Sequence, residues 1–120
     1  MVSLNHKDYV AFISGKRAAA VHFDAEWDVG GRPITRQRML EAERALAHQV
    51  NFGEVDVDAE LELAKSIPVL NVPLVAYYRD GALVAAIIGM GQNVHARLER
   101  VLRGEEIGYK DGTSAPSLPH

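Results

Sequence analysis

Alternating helical and extended periodicities predict an α/β fold with a central four-stranded mixed sheet flanked by helices on both faces. Three observations predict it. Two short apolar runs, residues 18–24 and 52–57, are separated by one long amphipathic segment, so they are expected to lie parallel through a right-handed crossover. Two further apolar runs, residues 73–78 and 82–88, meet at Arg79-Asp80-Gly81, and Asp-Gly is the strongest short hairpin signal. A last amphipathic stretch follows the hairpin and supplies a helix to close one face.

Each element has its own warrant. Tyr9, Val10, Phe12 and Ile13 give residues 5–14 a helical spacing, and Gly15 is expected to end that element. The run Ala-Ala-Ala-Val-His-Phe-Asp has the continuous apolarity of a buried strand. Gly30-Gly31 marks a turn, and Pro33 suits the first turn of a helix. Residues 34–49 are the strongest helix, with Met39, Ala42, Leu46 and Val50 on one face. Phe52, Val55 and Val57 alternate with polar residues as a strand. Asp58 is placed to cap a short helix over residues 59–66, which Pro68 stops. After Gly89-Met90-Gly91, Asn93 is placed to cap a helix carrying Val94, Leu98, Val101 and Leu102 on one face. Glu99 and Arg103 stand as an i,i+4 pair.

The chain has 120 residues, enough for one core and not for two. Residues 1–104 are expected to form one domain. Residues 105–120, rich in Gly, Ser and Pro, are expected to form a flexible tail. A formal charge of −3 without a basic stripe argues against a nucleic-acid surface. No apolar stretch approaches the roughly 20 residues of a membrane span, and the first residues lack a signal peptide's apolar core. A cytoplasmic location is expected. There is no cysteine, which excludes disulfides and thiolate metal sites. No metal or other cofactor is expected, and the chain is expected to be a monomer or a weak homo-oligomer.

Four segments carry a family resemblance. Phe23-Asp24-Ala25-Glu26-Trp27 follows the first strand of the crossover, and Val55-Asp56-Val57-Asp58-Ala59-Glu60-Leu61 spans the second and its turn. Asn71-Val72-Pro73 precedes the hairpin, and Tyr78-Arg79-Asp80-Gly81 with Gly89 forms and follows its turn. In this order and spacing, residues 5–103 resemble thioredoxin, which implies a thioredoxin-like fold with a cis-proline loop at Pro73. The departures fall on the chemistry. The family's two cysteines follow the tryptophan, and those positions hold Asp28 and Gly31, or Arg32 if the loop carries one more residue. Disulfide exchange needs one thiolate to attack and a second to resolve the mixed disulfide, so that reaction is excluded here. His22 stands where the resemblance implies a buried acid, Asp24 where an aromatic is frequent, and Leu74 where a threonine is usual. The N-terminal segment is too short for the family's first edge strand, so four strands are expected.

The candidate residues admit paired readings. Gly30, Gly31 and Arg32 at a helix start suit an anion or glutathione, or form a remodelled turn that Asp28 caps. His22, Asp24 and Asp28 suit a base with its orienting carboxylate, or a set of metal ligands, or a buried neutral histidine satisfied by a neighbour. The resemblance implies that the residue before Pro73, Val72, offers backbone groups to an extended peptide; otherwise the proline serves the fold alone. Trp27 is either a partner contact or a packing residue. Arg36, Arg38, Glu41, Glu43 and Arg44 read as a solvated helix face. The expected function is a redox-inactive binding module, adaptor or chaperone-like, resembling cysteine-free members such as chaperones of hydrogenase assembly. Its protein or peptide partner is expected to dock over Trp27, Asp28, Gly30, Gly31, Arg32, Val72, Pro73 and Gly89. An enzyme or small-anion binder using His22, Asp24 and Asp28 or the glycine loop is the alternative.

Overall fold

A computed structural model of the chain describes residues 1–66 and 71–107. Pro68 and residues 108–120 of the expected tail lie outside the described residues. The strands are β1 (Val2–Ser3), β2 (Ala18–Asp24), β3 (Val50–Asp56), β4 (Leu74–Arg79) and β5 (Ala82–Ile88). The helices are α1 (Tyr9–Ser14), α2 (Gly31–Leu46), α3 (Leu61–Ser66) and α4 (Val94–Leu102). The sheet is ordered β1-β3-β2-β4-β5. β1 and β2 run parallel to β3, β4 is antiparallel to β2, and β5 is antiparallel to β4.

The expectation of four strands is corrected to five. Val2 and Ser3 pair with Gly53 and Glu54, and the Leu4 N–H donates to the Glu54 carbonyl at 2.9 Å. Two residues are too few to show a strand period. The edge forms because Leu4 buries its side chain over Gly53, where a Cβ would lie 2.6 Å from Leu4 Cδ1.

Several ends move for local reasons. α2 begins at Gly31, earlier than residue 34, because the Asp28 carboxylate accepts the Gly31 N–H at 3.1 Å and the Asp28 carbonyl accepts that of Arg32. Asp56, not Asp58, organises the turn before α3: its Oδ1 accepts the N–H groups of Asp58 and Ala59. Asn93 precedes α4 in a left-handed conformation and makes no side-chain cap. Arg103 pairs with Glu105 rather than Glu99, whose carboxylate lies 3.9 Å from His95. The hairpin turns through Asp80 and Gly81, both at positive φ, as Asp-Gly implies.

All seven residues of β2 are buried, because the sheet is covered on both sides. Ala18 and Ala20 face Met39, Ala42 and Leu46 of α2 and Leu98 and Val101 of α4. Ala19, Val21 and Phe23 face Tyr9 and Ile13 of α1 and Leu63 of α3. Full burial of each large apolar side chain contributes about 1.5–3 kcal/mol. Ile107 belongs to the first cluster, so packing continues past Gly104.

Candidate functional site

The parallel pairing of β2 and β3 sets Asp24 beside Asp56, so the segments that follow both strands emerge at one end of the sheet. There the Val57 N–H donates to the Asp24 carbonyl at 2.8 Å. Trp27 follows β2 and Asp58 follows β3, and the indole Nε1 donates to Asp58 Oδ2 at 3.0 Å. That bond holds the ring while leaving Trp27 67% exposed, beside Val29 at 83%. Trp27 is therefore a surface residue, not a packing one.

The glycine loop and the proline loop touch. A Cβ on Gly31 would lie 3.0 Å from Pro73 Cγ and 2.8 Å from Asp28 Oδ2, so a side chain here would require the proline ring and the carboxylate to shift. The Val72–Pro73 bond is cis, and the Gly89 N–H donates to the Pro73 carbonyl at 2.9 Å. Asp28, Gly31, Pro73 and Gly89 are thus contiguous. Val72 and Pro73 are half-buried, and Gly30 is exposed with open space around its Cα.

Beneath the loop lies a polar cluster. His22 and Asp24 share the α2-facing side of β2, as their spacing of two requires. His22 is fully buried, and its Nε2 stands 3.6 Å from Asp24 Oδ2, too far for a hydrogen bond. Neither imidazole nitrogen has a hydrogen-bond partner. Burial pushes the His22 pKa down to about 4, against the opposing field of Glu54, with Arg36 and Arg32 lowering it further. Burial likewise raises the Asp24 carboxyl, partly offset by the Ala25 N–H it accepts and by Arg32. Arg32 Nε lies 2.9 Å from Asp24 Oδ2, but neither atom completes a hydrogen bond, so the charges meet without alignment.

These contacts place the residues of the paired readings. His22 is fully buried and does not face solvent, and no neighbouring carboxylate hydrogen-bonds it. His22, Asp24 and Asp28 do not converge as ligands, and no cluster of three or more His, Asp or Glu among the described residues is arranged to hold a metal. An anion at Gly30, Gly31 and Arg32 would compete with Asp28, which already accepts the Gly31 and Arg32 N–H groups, and would meet the Asp24 carboxylate beside the Arg32 guanidinium. The α2 face is not uniformly solvated. Arg36 forms two hydrogen bonds with Glu54, at 2.9 and 2.7 Å, which hold the carboxyl below its usual range, and Arg38 donates to the Met90 carbonyl. A shallow 480 Å³ concavity runs along that face between Arg32 and Arg44.

The sequence reading missed Asp58 as the Trp27 partner and the Arg36–Glu54 pair. Parallel pairing of the two strands was a signal for the first, since it sends both following loops to one end. Nothing local signals the second, which joins residues on different elements.

No family model matches the chain, and no curated protein matches it in sequence. Solved structures do match it. Mitochondrial thioredoxin 3 of Saccharomyces cerevisiae, in its oxidised form, is 24% identical over 87% of this chain and 94% of its own, with a TM-score of 0.72. Thioredoxin of Plasmodium falciparum is 20% identical over 87% and 98%, with a TM-score of 0.71. Human ERp44 is 18% identical over 83% of this chain and 29% of its own, at 0.72. The fold is that of thioredoxin, carried by a chain without cysteine.

Proposed function

We propose that the chain is a redox-inactive thioredoxin-like binding module, an adaptor or chaperone-like protein that receives a protein or peptide over Trp27, Asp28, Gly30, Gly31, Arg32, Val72, Pro73 and Gly89, with Gly31 itself buried against Pro73 and Asp28. The contact between Gly31 and Pro73, at the end of a loop whose Trp27 and Val29 are exposed, is the observation that carries this reading. Exposed tryptophan contributes strongly to interfaces because it offers a large rigid surface at small entropic cost. An extended peptide laid along the Val72–Pro73 segment would gain main-chain hydrogen bonds, a mode that requires no thiol. With neither of the two thiols that exchange uses, retention of partners depends on affinity alone.

Affinity capture from native lysate tests this with Trp27→Ala and Val72→Glu variants, both at partly or largely exposed positions. A partner held by the wild type is expected to be lost or weakened more than about tenfold in each, the scale of one interface hot spot. If both variants retain every partner, this surface is not the interface.

A further inference from the structure

The segments that follow β2 and β3 share a charge as well as a place. Residues 24–31 hold Asp24, Glu26 and Asp28, and residues 56–64 hold Asp56, Asp58, Glu60 and Glu62. Neither segment holds a Lys or Arg, although the rest of the chain has more cations than acids. The pairing of Asp24 with Asp56 and the bond from Trp27 to Asp58 bring the two segments together. Cations reach only the margin of this end. Arg32 stands against Asp24, His6 Nδ1 lies 3.5 Å from Glu60 with Lys7 next in sequence, and Lys65 lies in the last turn of α3.

Three of the carboxylates accept neutral N–H groups, which leaves their charge in place: Asp28 from Gly31, Asp56 from Asp58 and Ala59, and Asp58 from the Trp27 indole. Glu26 and Glu62 are exposed. No group of three or more His, Asp or Glu among the described residues is arranged to hold a metal, so the charge acts as a field over the surface. The same end presents apolar side chains to water. Leu61, three residues past Asp58, is 57% exposed, and Trp27 and Val29 are more exposed still. The Val29 N–H donates to the Trp27 carbonyl at 3.0 Å, which holds those two in one tight turn.

We infer that the segment received over Trp27 is cationic and apolar together: a stretch of a partner protein in which Lys or Arg neighbours a large apolar side chain. This partner chemistry belongs to the binding surface proposed above and rests on that reading. Complementarity of charge selects the occupant. An acidic segment, a nucleic acid or an anionic membrane meets repulsion from the same field. A neutral apolar segment covers Trp27 and Val29 but leaves Glu26 and Glu62 without a counter-charge. A Lys or Arg gains twice, from the carboxylates and from the face of the indole that Asp58 holds.

Trp27 is the one tryptophan of the chain, so its fluorescence reports occupancy of this surface directly. The full chain is titrated with a short capped peptide of lysine, leucine and serine, and with versions carrying glutamine or glutamate in place of lysine. The lysine peptide is expected to give a saturable change and to bind at least about tenfold tighter than the glutamine peptide at low ionic strength, with no response to the glutamate peptide. That margin is expected to shrink toward about 1 M salt, where screening acts within about 3 Å. Glu26→Lys combined with Glu62→Lys, both at exposed positions, is expected to weaken the lysine peptide about tenfold in calorimetry, the scale of two exposed ion pairs turned to repulsion. Glu99→Lys, exposed on α4, is expected to leave it unchanged. A glutamine or glutamate peptide bound as tightly as the lysine peptide overturns the inference while leaving the binding surface standing. No response to the lysine peptide overturns it too, as does unchanged affinity in the double variant. Failure of the binding surface itself is read separately, from retention of every partner by Trp27→Ala and Val72→Glu.

Discussion

His22 shows how burial alone sets a residue's chemistry. Its imidazole is enclosed under the start of α2 with no hydrogen-bond partner, so the neutral form is favoured and its pKa falls to about 4. Above the ordinary value of 6.5 the side chain is neutral in both folded and unfolded chains. Below it the unfolded chain takes up a proton that the folded chain refuses. Stability tied to His22 is therefore intact above pH 6.5 and lost as pH falls toward 4. Asp24 acts in the opposite sense. Its raised carboxyl contributes fully below the ordinary 3.8 and loses that contribution as pH rises through the folded value, so it recovers part of the loss in acid. Urea unfolding across this window should show the wild type losing on the order of 3 kcal/mol more than His22→Leu, since each tenfold drop in proton affinity is worth about 1.4 kcal/mol. Equal pH slopes in the two proteins would refute the account.

At the scale of elements, the start of α2 is fixed by contacts from elsewhere in the chain. Asp28 supplies its first hydrogen bonds, Pro73 packs against Gly31, and Arg36 ties the first turns to Glu54 of β3. The two loop glycines therefore have different roles. Gly31→Ala forces a methyl against Pro73 and the Asp28 carboxylate and should cost about 1–3 kcal/mol by overpacking. Gly30→Ala meets nothing within 4 Å at a φ of −89°, and should be neutral or stabilising by up to about 1 kcal/mol. Denaturant midpoints of the two variants decide it; equal losses would mean that the Gly31–Pro73 approach does not constrain α2.

For the whole molecule, stability rests on two clusters, one on each face of a sheet whose central strand is buried throughout. Tyr9 spans part of one of them, its ring 6.2 Å from Phe23 and 6.0 Å from Tyr78, and burial raises both tyrosine hydroxyls, that of Tyr78 to about 12. No covalent cross-link contributes within the chain, because there is no cysteine. Thermal unfolding is expected at the same temperature with and without a thiol reductant, and the protein is expected not to reduce an added disulfide substrate. A reductant-dependent midpoint in calorimetry, or turnover in a disulfide-reduction assay, would contradict both statements.

The order of elements, the two-sided burial of β2, the Asp80–Gly81 hairpin and the absence of thiol chemistry were all legible in the residues alone. These follow from periodicity, turn chemistry and composition, which are properties of neighbouring residues or of the chain as a whole. β1 was not legible, because two residues have no measurable period and the strand exists through Leu4 packing over Gly53. Nor were the roles of the polar residues. His22, Asp24 and Asp28 are as compatible in sequence with a catalytic pair or a ligand set as with a buried cluster. Packing in three dimensions decided their surroundings, by burying His22, turning the Gly31 and Arg32 N–H groups onto Asp28, and setting Gly31 against Pro73. Burial and alignment between distant segments set those outcomes, and neither exists until the elements have come together.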